Sequence, residues 1–230
     1  MIITRISFPF TILALTYIAT LSFSPYDYQP MVKILPILVL LLTCLTILKG
    51  RLRVLMAIAI TASGVGDVLL SLSFTNSFVY GLGAFLSAHL VYTTTFFLYR
   101  NKQMKISAWR KLSAVMLISF GLLMGAYILP DAGDLLVPVS FYLCVIASMA
   151  VTALLSQLPI SVSIGAAVFM LSDTFIAINM FKQPLLASGY IVMITYYLAQ
   201  YLIVMGIVTF ANTPQIKRDL AQQDLNEVIL

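Results

Sequence analysis

Charge is what this sequence has least of. Only 9% of its 230 residues are Asp, Glu, Lys or Arg, against roughly 25% in a soluble domain. A chain so short of charge cannot clothe a globule in polar surface, which excludes a free-standing soluble enzyme or solution binding module. Cysteine is nearly missing too. Cys44 and Cys144 each lie inside an apolar run, and there is no CxxC and no His/Cys cluster. That usage fits small buried hydrophobes rather than a disulfide or a transition-metal site. No metal and no other cofactor is expected. What remains is hydrophobic: 61% of the residues are apolar, and a bilayer is the solvent in which such a composition is stable. The net charge of +5 does not point to nucleic acid, because the basic residues sit between apolar runs, where orientation signals belong.

A membrane span needs about 20 apolar residues. Apolar runs bounded by turn signals predict eight helices, at 7–24, 31–48, 54–73, 77–99, 112–129, 135–155, 160–181 and 187–210. Length decides for helix, since each run is too long for a strand. The first run follows Arg5 as a signal peptide would, but no small-x-small cleavage site follows and Pro25 closes it, so it is read as a span. The breaks are polar or turn-forming, among them 24–27, 49–53, 74–77, 100–111, 130–134, 156–159 and 182–184. The expected fold is therefore all-α, a polytopic membrane helix bundle over residues 1–211 with a short polar cytoplasmic tail at 212–230. Thr213-Pro214 reads as the start of a short helix in that tail.

Orientation follows from the basic residues. With the N-terminus inside, Arg5, Lys49, Arg51, Arg53, Arg100, Lys102, Lys105, Arg110, Lys111, Lys217 and Arg218 face the cytoplasm, and only Lys33 and Lys182 face out. The excess inside predicts both termini in the cytoplasm and, in a bacterial source, the inner membrane.

Ionisable groups deep in a span are costly and mark function. Three lie deep here: Asp67, His89 and Asp173. Asp67 lies 14 residues from Arg53 and Asp173 lies 14 residues from Pro159, which puts both roughly 21 Å into the bilayer. Serine or asparagine would tie helices together at lower cost, so two acids at one depth point to shared chemistry. Close carboxylates in low dielectric tend to share a proton, giving one acid and one base. Tyr80, Tyr92, Asn179, Tyr196, Tyr197 and Gln200 add polar groups in or near this zone, and Lys33 lies near the outer end of its span. Lys33 also fits an interfacial anchor that snorkels outward. Gly81, Gly83, Ala84 and Ala88 form a small-residue face suited to close packing. A small residue precedes each acid (Gly66 and Ser172), and both acids fall in odd-numbered spans. This predicts a parallel repeat of four spans plus four.

The residues that carry this reading resemble a known family. Gly66-Asp67-Val68-Leu69-Leu70, Phe85-Leu86-Ser87-Ala88-His89-Leu90-Val91-Tyr92, Phe169-Met170-Leu171-Ser172-Asp173 with Ala177 and Phe181, and Tyr197-Leu198-Ala199-Gln200 are similar in order and spacing to the YhhN-like lysoplasmalogenases. These are integral membrane hydrolases of vinyl-ether lysophospholipids. Lys33 resembles a family lysine, although the proline that usually follows directly is here Pro36. The resemblance implies hydrolysis of the sn-1 alkenyl ether to a fatty aldehyde and a glycerophospho-base. It implies a lysophospholipid substrate, membrane lipids as surroundings and no nucleic-acid partner. In this reading Asp67 and Asp173 form the acid/base pair, with the two roles unassigned. His89 and the nearby tyrosines orient water or a carboxyl, and Lys33 holds the substrate phosphate.

Two other readings draw on the same residues. Gly64-Val65-Gly66-Asp67 spells the GxGD of intramembrane aspartyl proteases, but the second acid follows serine rather than tyrosine and no Pro-Ala-Leu triplet is present. Buried acids with a histidine also suit a proton-coupled transporter or lipid carrier. Paired Gly/Pro breaks in two related spans would favour that.

Overall fold

The computed structural model describes residues 2–100 and 106–213, with side chains from residue 6. All eight expected spans are helices: α1 Ile2–Thr20, α2 Gln29–Ile47, α3 Gly50–Ser71, α4 Ser77–Leu98, α5 Ala108–Ile128, α6 Leu136–Leu155, α7 Ile160–Phe181 and α8 Ser188–Ala211. Eight of eight are long and apolar enough to cross a membrane. Short 3-10 turns at Leu21–Phe23, Leu129–Asp131 and Gly133–Leu135 complete the ordered elements, and no strand occurs among the described residues. The basic residues Lys102, Lys105, Lys217 and Arg218 and the tail's expected helix lie outside the described residues.

Four helices begin earlier than the apolar runs do: α1 at Ile2, α2 at Gln29, α3 at Gly50 and α5 at Ala108. The reason is common to α3 and α5. Reading by hydropathy stops at the first charge, but the backbone does not. Arg51, Arg53, Arg110 and Lys111 sit in the first turns, where long basic side chains reach out of the apolar zone. Arg110 also donates from Nη1 to the carbonyls of Leu154 (2.8 Å) and Ser156 (2.9 Å), satisfying the open end of α6. The α3–α4 and α7–α8 turns end in left-handed residues, Asn76 (φ 67°) and Ala187 (φ 56°).

Packing is closest where small residues let backbones meet. In α3–α4 the Phe85 ring lies on Gly66 and Leu70 lies on Gly81. In α7–α8 the carbonyl of Ala199 and the Ile203 side chain lie on Gly165. Of the small-residue face expected on α4, Gly81 and Ala88 are buried, while Gly83 meets open space. Helix α8 is the most enclosed, with 61% of its apolar window buried, and α5 is peripheral at 11%. Between halves, α4 packs on α6 and α2 packs on α8.

Candidate active site

The polar groups buried among these helices form two clusters. In the first, α2 meets α3. Lys33 Nζ lies 3.3 Å from Asp67 Oδ1 and donates to the Asp67 carbonyl (3.2 Å) and to Ser71 Oγ (3.3 Å). Lys33 and Asp67 are 8% and 2% exposed, so this ion pair is internal. Tyr197 on α8 donates its hydroxyl to the Lys33 carbonyl at 2.7 Å. Tyr92 on α4 donates to Gln200 Oε1 (2.8 Å), and Gln200 Nε2 reaches Tyr196 (3.5 Å), whose hydroxyl faces the Asp67 carboxyl. Asp67 Oδ2, Ser63 Oγ and His89 Nδ1 have no hydrogen-bond partner among the described residues.

In the second cluster α4, α6 and α7 meet. His89 Nε2 lies 2.9 Å from Asp173 Oδ2 and 2.9 Å from the Tyr142 hydroxyl, and Tyr142 donates to the same carboxylate oxygen. An Asp173 oxygen held between a tyrosine hydroxyl and an imidazole nitrogen in a water-poor interior is fixed in position. The rings of Phe85, Phe169 and Tyr196 interlock between the two clusters, with centroids 5.4–6.3 Å apart, and Phe169 stands edge-on to His89 at 4.7 Å.

A narrow apolar cleft lies between α4, α6 and α7. Its walls include Phe78, Leu82, Ile146 and Phe181, and its polar groups are those of Asp173, Tyr142 and Thr174. Asp173 stands at the side of this apolar groove.

Several expectations on individual residues can now be placed. His89 is with Asp173, while Tyr92, Tyr197 and Gln200 are with Asp67. Each aspartate carboxyl is matched to its own partner rather than to the other acid. The reason is that each faces a donor from a different helix. Lys33 is turned inward onto Asp67, so its ammonium is not free at the interface. Tyr80 is 59% exposed and packs on Phe74, away from both clusters. Asn179 accepts from the Leu185 amide at 2.9 Å, which fastens the α7–α8 turn. Tyr142 is not among the polar residues that the sequence singles out. Helical rise puts Tyr142 roughly 9 Å from the N-terminal end of α6 and Asp173 roughly 12 Å from the C-terminal end of α7.

The clusters answer to each other across the halves. An α2 side chain, Lys33, meets the α3 acid, and an α6 side chain, Tyr142, meets the α7 acid. Helix α4 sends His89 to Asp173, and α8 turns Tyr196 toward Asp67. Helices α3 and α7 run unbroken through their acids, unlike the interrupted spans of many transporters.

The sequence profile of the YhhN family matches residues 28–207. Among curated proteins, a Mycobacterium bovis protein named lysoplasmalogenase is 34% identical over 160 residues, 68% of this chain and 61% of its own length. A Sus scrofa protein named lysoplasmalogenase TMEM86B is 33% identical over 69% of this chain and 64% of its own. The Homo sapiens protein of that name is 31% identical over 78% and 75%. This chain thus spans a little over three fifths of the mycobacterial and porcine relatives. No solved structure matches it.

Proposed function

The chain belongs to the YhhN family of integral multi-pass membrane proteins, and from that premise we propose that it hydrolyses the sn-1 vinyl ether of lysoplasmalogens. The observation that carries this reading is the Asp173–His89–Tyr142 cluster set beside an apolar cleft within the membrane-spanning region.

The chemistry runs in three steps. A carboxyl proton passes to the β-carbon of the alkenyl ether, and the positive charge is shared between the α-carbon and the ether oxygen, as in glycoside cleavage. Water then bonds to the α-carbon while a carboxylate takes its proton. The resulting hemiacetal collapses: its C–O bond to glycerol breaks, the proton returns to the glycerol oxygen, and a fatty aldehyde leaves. Asp173 borders the cleft and is the carboxyl placed to meet the alkenyl group, with Tyr142 and His89 fixing its orientation. Asp67, held between Lys33 and Tyr196, is the second carboxyl of the site and stands ready to favour the oxocarbenium ion electrostatically.

In this reading residues 1–211 form one membrane domain and 212–230 a cytoplasmic tail. The basic ends of α3 and α5 support a cytoplasmic N-terminus. The matched placement of Lys33–Asp67 and Tyr142–Asp173 supports a parallel repeat of four helices plus four. The test of function uses two lipids on purified protein in detergent. A vinyl-ether lysophospholipid is turned over to aldehyde, while its saturated-ether analogue competes for the site without being cleaved, having no double bond to protonate. Cleavage of the saturated analogue, or no aldehyde from the vinyl ether, overturns the reading.

A further inference from the structure

The end of the bundle where the α7–α8 turn meets the α5–α6 turn carries a second pocket. It is open and about half polar, and is lined by Tyr127, Asp131, Ile178, Phe181, Lys182 and Gln183. Phe181 lines this pocket and the apolar cleft alike. The polar pocket is therefore the cleft's neighbour on the side of the water. Lys182 Nζ pairs with Asp131 Oδ2 and stands 4.5 Å from the centre of the Tyr127 ring. The Lys182 side chain is 20% exposed and that of Asp131 48%. Such a pair adds little to folding, because water and salt screen it. Its position makes it useful in another way: one cation, one anion and one aromatic face stand together at the end of a groove for a hydrocarbon chain.

We propose that this pocket is the headgroup subsite. Lys182 takes the lipid phosphate, while Asp131 and the Tyr127 face take the headgroup ammonium. A zwitterionic headgroup exchanges the internal ion pair for two complementary ones, so no charge is left unmatched. The preferred class is a lysophospholipid bearing an amine or quaternary ammonium. A bare phosphate headgroup leaves Asp131 facing an anion. Lys182 follows the last residue of α7, Phe181, which lies eight residues beyond Asp173, a rise of about 12 Å, which a reaching lysine side chain and a glycerophosphate backbone together bridge. Lys182 thus supplies what Lys33, engaged by Asp67, does not.

This inference rests on the lysoplasmalogenase reading, and its experiment separates the two. The full chain in detergent is assayed with a vinyl-ether lysophosphoethanolamine and with a 1-alkenylglycerol that has no headgroup. Lys182→Gln lowers the ratio of kcat/KM for the first over the second roughly tenfold, through KM, as loss of one charge-assisted bond requires. Asp131→Asn narrows the preference for the ethanolamine lipid over the matching lysophosphate. Calorimetric titration with the saturated-ether lysophosphoethanolamine gives a second readout, with weaker binding to Lys182→Gln. Weakened binding without turnover by the parent chain leaves the subsite standing and removes the hydrolase reading. Turnover with unchanged ratios in both variants overturns the subsite.

Discussion

At the scale of single residues, Tyr142 and Lys33 hold the two acids in different ways. The Tyr142 hydroxyl donates to Asp173 Oδ2 beside the His89 imidazole. Tyr142→Phe removes that donor with little change in volume, so kcat falls roughly tenfold or more while the protein stays folded; single-turnover aldehyde release checks it. Lys33 is a buried counter-charge. Lys33→Met leaves the Asp67 carboxyl buried without its partner and costs about 3 kcal/mol of stability. Adding Asp67→Leu to Lys33→Met recovers the melting temperature but not the activity. Thermal unfolding in detergent and the aldehyde assay, run on the same samples, separate a structural pair from a working one. The sequence displays Asp67, His89 and Asp173 because a charge in hydrocarbon stands out against apolar neighbours. It hides Tyr142, because a tyrosine in a span also occurs as ordinary packing, and it hides the pairing of Lys33 with Asp67, because that depends on how α2 is rotated about its axis.

At the scale of elements, the helices are legible from length and composition alone. Their starts are less so, since hydropathy ends at Arg53 and Lys111 while the hydrogen-bonded backbone continues through them. Which faces touch is not legible from periodicity, because each helix is apolar nearly all round. Glycine gives a partial signal. A Cβ at Gly165 would lie 2.9 Å from the Ala199 carbonyl oxygen, whereas one at Gly83 meets nothing within 4 Å. Gly165→Val therefore pushes α7 from α8 and costs roughly 1–3 kcal/mol, as overpacking does. Gly83→Val, facing open space, leaves the melting temperature nearly unchanged. Thermal melts of the two variants in one detergent check the contrast; equal losses would mean that α7–α8 packing is not built on Gly165.

At the scale of the whole molecule, the bundle solves one problem. In the proposed reaction a lipid bond near the headgroup meets an acid away from bulk water, and Asp173 lines the groove between α4, α6 and α7. The two halves contribute unequally. Asp173 fronts the groove, and Asp67 stands with Lys33 beyond the ring of Phe85. That inequality was not visible at equal depth in the sequence, because depth fixes only one of three coordinates. Tyr80 and Asn179 are the counterpart: near the right level, but pointing elsewhere. The account stands most directly on aldehyde release from a vinyl-ether lysophospholipid by purified parent protein, Asp67→Asn and Asp173→Asn. The expected result is turnover by the parent and a fall of roughly a hundredfold or more in each variant, with folded protein in every sample. Full aldehyde release by both variants would contradict it.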